Sequence, residues 1–214
     1  MTKVLVQCDF DGTITNDDTS FALLDTFAQG DWQKLLRQYK EHKISVGEFN
    51  SNAFAMVKAS KHTLLEFLKK EGKAQIRSGF RDFARYCARK NFRLVITSNG
   101  LDFYIRAILE YLKLDHIEVH AAQNTFHASG IQVQYVGLNG EPLNEGLKEA
   151  FIKSFLAEGY NVIYIGNGDS DIPAAKYATH LFARGDLLAY CKQNQIECKP
   201  FKTFNDIMEQ LDNM

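Results

Sequence analysis

This chain lacks the features that mark several broad classes of protein. Its 25 Lys and Arg residues nearly balance 26 Asp and Glu, for a formal net charge of −1. It therefore carries no basic field of the kind that gathers nucleic acid. No apolar run approaches the roughly 20 residues needed to span a bilayer. The opening Met1-Thr2-Lys3-Val4-Leu5-Val6 has neither the order nor the cleavage site of a signal peptide. Cysteine is sparse and scattered: Cys8, Cys87, Cys191 and Cys198 show no CxxC spacing, which argues against a zinc site. Without an export signal, these thiols are expected to be reduced, in a cytoplasm. Dinucleotide and Walker glycine patterns are also missing. A length of 214 residues suits one compact core with room for an inserted subdomain.

What is present concentrates near the N-terminus. Val4-Leu5-Val6-Gln7-Cys8 is a short apolar run of the sort found in a buried parallel strand. It ends in Asp9-Phe10-Asp11-Gly12-Thr13, with two aspartates one residue apart at a turn. Ligands of open α/β sheets bind beyond the carboxyl ends of the strands. Two carboxylates buried there need a proton or a cation. A hard divalent metal with oxygen ligands, beside room for a phosphate, resolves the conflict.

Residues 19–70 change character. Apolar residues recur at helical spacing through Phe21, Leu24 and Phe27, then Trp32, Leu35 and Tyr39, then Phe49, Ala53 and Met56, then Leu64 and Leu68. The pattern predicts four short helices and no strand. Lys34, Arg37 and Lys40 fall at helical spacing as a solvated face. From Ser78 an α/β alternation resumes: helix 80–89, strand 93–97, a turn at Ser98-Asn99-Gly100, helix 101–112 and strand 117–120. A hairpin excursion follows over 123–143, then a helix to Ala157 that Asn144 is placed to cap, strand 161–165, and helix–strand–helix to the end. Alternation of this kind implies a doubly wound, Rossmann-like parallel sheet. The expected division is a core of residues 1–14 and 79–214, with an all-helical cap of residues 15–78 inserted between.

Four places at element ends carry polar groups suited to phosphoryl transfer. Asp9 and Asp11 are the first, and Ser98 with Asn99 the second, with Thr97 as an alternative register. Lys148 near a helix start is the third, with Lys153 as fallback. Gly166-Asn167-Gly168-Asp169-Ser170-Asp171 is the fourth. Taken in order, this series resembles the motifs of the haloacid dehalogenase superfamily, whose members are mostly Mg²⁺-dependent phosphatases. The resemblance reaches Gly140-Glu141-Pro142-Leu143 and Phe182-Ala183-Arg184, as in the phosphoserine-phosphatase-like branch with a helical cap. The stretch from Ser98 to Tyr104 is similar to that of methionine-salvage phosphatases.

The resemblance implies Asp9 as nucleophile, through an aspartyl-phosphate, and Asp11 as acid and then base. It implies Ser98, Asn99 and Lys148 on the phosphoryl group. A Mg²⁺ would be held by Asp9, Asp11 (through its carbonyl), Asn167 and Asp171. Asn167 stands where the family usually has aspartate, so one negative charge is missing and weaker Mg²⁺ binding is expected, with Asp169 as an outer-shell candidate. Substrate choice falls to the cap. Asp18 stands at an acidic position of the branch, yet residues 44–57 contain no Lys or Arg for a substrate carboxylate. That disfavours phosphoserine, unless Lys58, Lys61 or Arg77 serves. It favours a small phosphate ester such as a methylthio-ketopentenyl phosphate, with phosphoethanolamine-like or phosphocholine-like esters as alternatives through Asp17 or Asp18. A non-catalytic phosphate-binding protein and a phosphotransferase are the readings from other classes.

Overall fold

The computed structural model describes residues 3–70 and 74–213. Residues 71–73 of the inserted segment, and residues 1, 2 and 214, lie outside the described residues. Strand β1 (Lys3–Cys8) is followed by helices α1 (Thr19–Phe27), α2 (Trp32–Lys40), α3 (Val46–Phe54) and α4 (Lys61–Lys70). Then come α5 (Phe80–Arg89), β2 (Arg93–Leu101), α6 (Asp102–Tyr111), β3 (Glu118–His127), β4 (Gly130–Val136) and β5 (Pro142–Leu143). The chain continues with α7 (Leu147–Ala157), β6 (Tyr160–Gly166), a single 3₁₀ turn (Asp169–Asp171), α8 (Ile172–Ala175), β7 (His180–Ala183), α9 (Gly185–Gln193), β8 (Lys199–Pro200) and α10 (Phe204–Asp212).

The strands form one sheet in the order β5-β4-β3-β2-β1-β6-β7-β8. From β3 to β8 every neighbouring pair is parallel, while β4 and β5 add an antiparallel edge. Strand β1 is central, with Cys8 level with Ile96 of β2 on one side and Ile165 of β6 on the other. The connections run outward from β1 in both directions, so its carboxyl end is the topological switch point where open α/β sheets place ligands. The fold is α/β with a Rossmann-like core, as expected. Among the described residues no helix is long and apolar enough to cross a membrane.

The four predicted helices of the insertion are all present. Their apolar faces meet through aromatic pairs, Phe21 with Trp32 and Phe27 with Phe67 at 5.2 Å, and Tyr39 stacked on Phe49 at 5.7 Å. Lys34, Arg37 and Lys40 are exposed, as their spacing predicts. The chain enters and leaves the insertion side by side: Thr15 bridges Ile76, and Arg77 N donates to Ile14 O at 2.8 Å.

Two local expectations are corrected. Ser98-Asn99-Gly100 is not a turn after β2 but part of the strand. Thr97 pairs with His120 and Leu101 with Ala122, so four steps along β2 match two along β3. The surplus residues bulge out of the ladder, which re-aims side chains at the strand end. Asn144 does not cap α7. Gly146 occupies the N-cap in a left-handed conformation (φ 78°), which glycine adopts without a Cβ penalty. The Asn144 carbonyl instead accepts from Gly47 N at 2.8 Å, tying the hairpin segment to α3.

Candidate active site

Asp9 follows the last residue of β1, and its N–H donates to Ile165 O at 2.9 Å, which continues the β6 ladder one step and pins its backbone. The side chain is buried. Its Oδ1 accepts from Lys148 Nζ at 2.7 Å and its Oδ2 from Thr13 Oγ1 at 3.1 Å. Lys148, also buried, enters from the first turn of α7, where Gln7 Nε2 donates to its carbonyl at 2.9 Å. Its ammonium also donates to Asp171 Oδ1 at 2.6 Å and Ser170 Oγ at 3.1 Å. Lys153, the fallback, is exposed and paired with Glu149. Ser98 sits beside Asp9 on the bulge, while Thr97 Oγ1 is turned away to accept from Gln7 Nε2, so the strand presents Ser98 to the site. The Asn99 carbonyl accepts from Tyr135 Oη at 2.7 Å and from Asn50 Nδ2 at 3.1 Å.

Burial pushes the Asp9 carboxyl up to about 7, with the Asp171 charge adding to the effect and Lys148 opposing it. Burial works against the Lys148 ammonium, but Asp171 and Asp9 outweigh it and hold it above its ordinary value. Burial likewise raises Asp11, against hydrogen bonds from Tyr104 and Thr19.

Asn167 faces the same corner. One atom of its amide end lies 2.9 Å from Asp9 Oδ2, 3.0 Å from the Asp11 carbonyl and 2.8 Å from Thr13 Oγ1. As nitrogen it donates to all three. As oxygen it meets two acceptors, an arrangement that a proton on Asp9 or a cation reconciles. Asp9 and Asp171 moreover share a single ammonium, Lys148, whose charge also acts on the nearby Asp11 carboxyl. Three carboxylates against one cation leave about two negative charges in a buried corner when all ionise. Asp9 Oδ2, the Asp11 carbonyl and Asn167 Oδ1 thus make an all-oxygen set fit for a hard divalent cation. Among the described residues no three His, Cys, Asp or Glu side chains converge as metal ligands, because two members of this set are a carbonyl and an amide.

The structure does not bring Asp171 to those oxygens. Its Oδ1 accepts from Lys148 Nζ and from Tyr164 Oη at 2.7 Å, and its Oδ2 from the N–H groups of Asn167 and Gly168 at 2.8 and 2.9 Å. It is fully buried and committed to protein donors, orienting Lys148 and the loop behind it. Asp169 is exposed and stands apart from the Asp9 corner, on a neighbouring cavity with Glu145 and Lys40.

A cavity of about 130 Å³ opens over Asp9, Asp11, Ser98 and Lys148. Its other wall comes from the inserted helices, with Phe21, Tyr39, Val46, Phe49 and Asn50. Asp18 also lines it while capping α1, accepting from Phe21 N at 2.9 Å. Burial, then the nearby Asp11 charge, raises Asp18 well above the usual carboxylate range. Among the described residues Lys148 is the sole basic side chain lining the cavity; Lys58, Lys61 and Arg77 do not reach it. Asp17 is exposed and outside it as well.

Two residues near the site have roles that sequence reasoning does not assign; it considers Arg77 only for a substrate carboxylate. Arg77 is buried, and its guanidinium donates to the carbonyls of Thr13 (2.7 Å), Gly12 (3.0 Å), Thr15 (2.9 Å) and Asn16 (3.3 Å), clamping the loop that carries Asp11. Tyr104 donates a short hydrogen bond to Asp11 Oδ2. Tyr104 belongs to the stretch whose likeness to known phosphatases was visible, but the partner is 93 positions away.

Relatives agree with this architecture. The 2-hydroxy-3-keto-5-methylthiopentenyl-1-phosphate phosphatase of Geobacillus kaustophilus is 32% identical over 220 residues, covering 100% of this chain and 98% of the relative. That of Brevibacillus brevis is 30% identical, covering 98% and 95%. Among solved structures, a phosphoserine phosphatase captured as a phospho-aspartyl intermediate analogue superposes with a TM-score of 0.71 at 18% identity, over 98% of this chain and 99% of the other. Cytosolic 5'-nucleotidase IIIB bound to cytidine gives 0.63 at 14% identity, over 95% and 82%. These two share the fold. The model of the haloacid dehalogenase-like hydrolases matches residues 6–176, and the chain belongs to that family as a phosphatase, a hydrolase of phosphate esters.

Proposed function

We propose that this chain is a Mg²⁺-dependent phosphomonoesterase that works through an aspartyl-phosphate on a small metabolite with an uncharged leaving group. A 2-hydroxy-3-keto-5-methylthiopentenyl-1-phosphate-like ester is the substrate that fits best. The observation that carries the substrate class is the cavity wall: Phe21, Tyr39, Val46 and Phe49 line it, and its one lining cation among the described residues, Lys148, is engaged with Asp9. A carboxylate buried there would lack a partner, at a cost of about 1–3 kcal/mol or more. This weighs against phosphoserine, despite the shared fold. Asp18 supports a second reading, an amine-bearing ester, although burial favours the neutral form of its carboxyl.

In the proposed reaction Asp9 attacks phosphorus, the bond to the ester oxygen breaks, and the Asp11 proton passes to the departing alkoxide. Water, deprotonated by the Asp11 carboxylate, then releases phosphate from Asp9. Lys148, Ser98 and Asn99 hold the phosphoryl oxygens, with Asp171 keeping Lys148 in place. Mg²⁺, held by Asp9, the Asp11 carbonyl and Asn167, would neutralise phosphoryl charge when bound. Residues 15–78 act as a cap on a core of 1–14 and 79–214, shutting out bulk water. Retention of both Asp9 and Asp11 weighs against a non-catalytic binding role. Free thiols at all four cysteines suit a reducing compartment such as the cytoplasm.

The test is phosphate release from a panel of small phosphomonoesters with and without Mg²⁺. Uncharged leaving groups should exceed phosphoserine by about tenfold or more in kcat/KM, the rate equivalent of the desolvation cost. A preference for phosphoserine refutes the substrate class. Full activity in Asp9→Asn refutes the covalent route. Alcohol acceptors that capture most of the phosphoryl group identify a transferase.

A further inference from the structure

The Asp11 carboxyl is held at two points, one from each side of the cavity. Thr19 N, in the first turn of α1, donates to Oδ1 at 3.0 Å. Tyr104 Oη, on α6, donates to Oδ2, and the same hydroxyl lies 2.8 Å from Ser20 Oγ on α1. Tyr104 is fully buried, packed against Phe103 at 5.4 Å and Phe10 at 6.3 Å, so its ring has a single seat. The cavity is lined by Asp11 and Ser20 but not by Tyr104. Gly100, on the β2 bulge, makes the contact possible, because a methyl group there would collide with both the Tyr104 hydroxyl and Asp11 Oδ2. Ser20 by itself would satisfy the buried tyrosine hydroxyl, so the bond to Asp11 is more than a core tyrosine needs.

We propose that Tyr104 is a positioning residue: with the first turn of α1 it fixes the plane of the Asp11 carboxyl so that the acid faces the oxygen of the departing alcohol. This rests on the reading of Asp11 as general acid. A carboxyl on a free side chain sweeps through rotamers, and proton transfer falls steeply when the donor leaves hydrogen-bond reach of the acceptor. Since one hold comes from α6 and the other from α1, the acid is aimed only while α1 is seated. Tyr104 touches neither substrate nor phosphoryl group and acts through Asp11 alone.

The experiment measures kcat/KM for phosphate esters whose leaving groups run from p-nitrophenol to simple alkyl alcohols, in the Mg²⁺-loaded wild type, Tyr104→Phe, Ser20→Ala, Gly100→Ala and Asp11→Asn. For a two-step reaction kcat/KM reports the first transfer, in which the alcohol departs. Tyr104→Phe keeps the ring and removes the hold, so its loss should grow as the leaving alcohol becomes less acidic, reaching about tenfold or more for alkyl esters. Beryllofluoride affinity should stay within about twofold of wild type. Gly100→Ala, which crowds both that hydroxyl and Asp11 Oδ2, should steepen the dependence in the same sense, and Tyr104→Met, which removes the hydroxyl without crowding Asp11, decides the matter if Tyr104→Phe does not fold. Ser20→Ala should change it less. An equal loss on every ester, or no loss, overturns the positioning role. Asp11→Asn that still cleaves alkyl esters at the wild-type rate overturns the general-acid reading itself, a result separate from failure of the tyrosine.

Discussion

Removing divalent cations and raising the pH from about 5.5 to about 7.5 should destabilise the protein, and Asp9 should contribute about 2 kcal/mol of the effect. In the folded chain burial lifts the Asp9 carboxyl from its ordinary 3.8 to about 7. Between those values the folded state binds more protons than the unfolded state, so stability falls as pH rises. The contribution is complete below the unfolded value and disappears as pH passes through the folded one. At about pH 5.5 the folded carboxyl is some 1.5 pH units below its midpoint, worth about 2 kcal/mol at ~1.4 kcal/mol per unit, and by about pH 7.5 nearly all of this is gone. Surface carboxylates held low by partners, such as Glu41 and Asp206, are ionised in both states across this window and contribute no slope. Asp11 and Asp18 are raised too, but both proteins compared retain them, so they do not enter the difference. The assay is urea unfolding with a chelator present, for wild type and Asp9→Asn at both pH values. The wild type should lose about 2 kcal/mol more than Asp9→Asn, whose amide does not titrate. Saturating Mg²⁺ at the higher pH should restore the wild type by mass action, and the variant far less. Parallel pH profiles for the two proteins would refute the argument that burial of Asp9 is offset by a proton or a cation.

Asn167→Asp should pull two quantities in opposite directions: it adds a charge 2.9 Å from Asp9 Oδ2, lowering cation-free stability at neutral pH by about 1–4 kcal/mol, and it lowers the Mg²⁺ concentration for half-maximal activity. Unchanged metal dependence places Asn167 outside the coordination set. Lys148→Met should cost about 3–5 kcal/mol in urea unfolding near neutral pH, since it leaves the buried Asp9 and Asp171 side chains without their cation, and the cost should shrink in acid as Asp9 protonates. Arg77→Met should cost about 2–4 kcal/mol by the same measurement, because the loop carbonyls it serves lose a charged donor, and should lower kcat by loosening the Asp11 loop. Asp18→Asn, which keeps an α1 cap, should reduce turnover of amine-bearing esters selectively, and a uniform change across esters would remove Asp18 from the cavity's selectivity.

Much of this molecule is written in short-range pattern. The apolar run Val4–Cys8 and its terminal Asp9-Phe10-Asp11 are one strand and its loop, whatever the rest of the chain does, because a parallel strand buried on both faces has to read as a continuous apolar run. The helices of the insertion follow from helical spacing of apolar residues within each, such as Phe21, Leu24 and Phe27, Trp32, Leu35 and Tyr39, Phe49 and Ala53, and Leu64 and Leu68. Boundaries were less legible. Asn144 is a good cap by type, yet Gly146, able to take a positive φ, ends the loop closer to α7. Ser98-Asn99-Gly100 has turn composition but lies in a bulge, since Leu101 still pairs with Ala122.

The sequence by itself determined the α/β core, the helical insertion, the reaction class and the residues at the strand ends, because these depend on residue type, on period and on position along the strands. The tertiary structure alone decided which side chain of the Gly166–Asp171 loop joins Asp9 and which is spent on protein donors. Asp171 and Asn167 are four residues apart, yet only folding sends one to Lys148 and Tyr164 and the other to Asp9. It alone paired Tyr104 with Asp11 and Arg77 with the carbonyls of the Asp11 loop. It also decided which side chains of the insertion face the phosphate site. Each of these is a hydrogen bond or packing contact between residues far apart in the chain. Its existence rests on the sub-ångström placement of whole elements, which no local periodicity encodes.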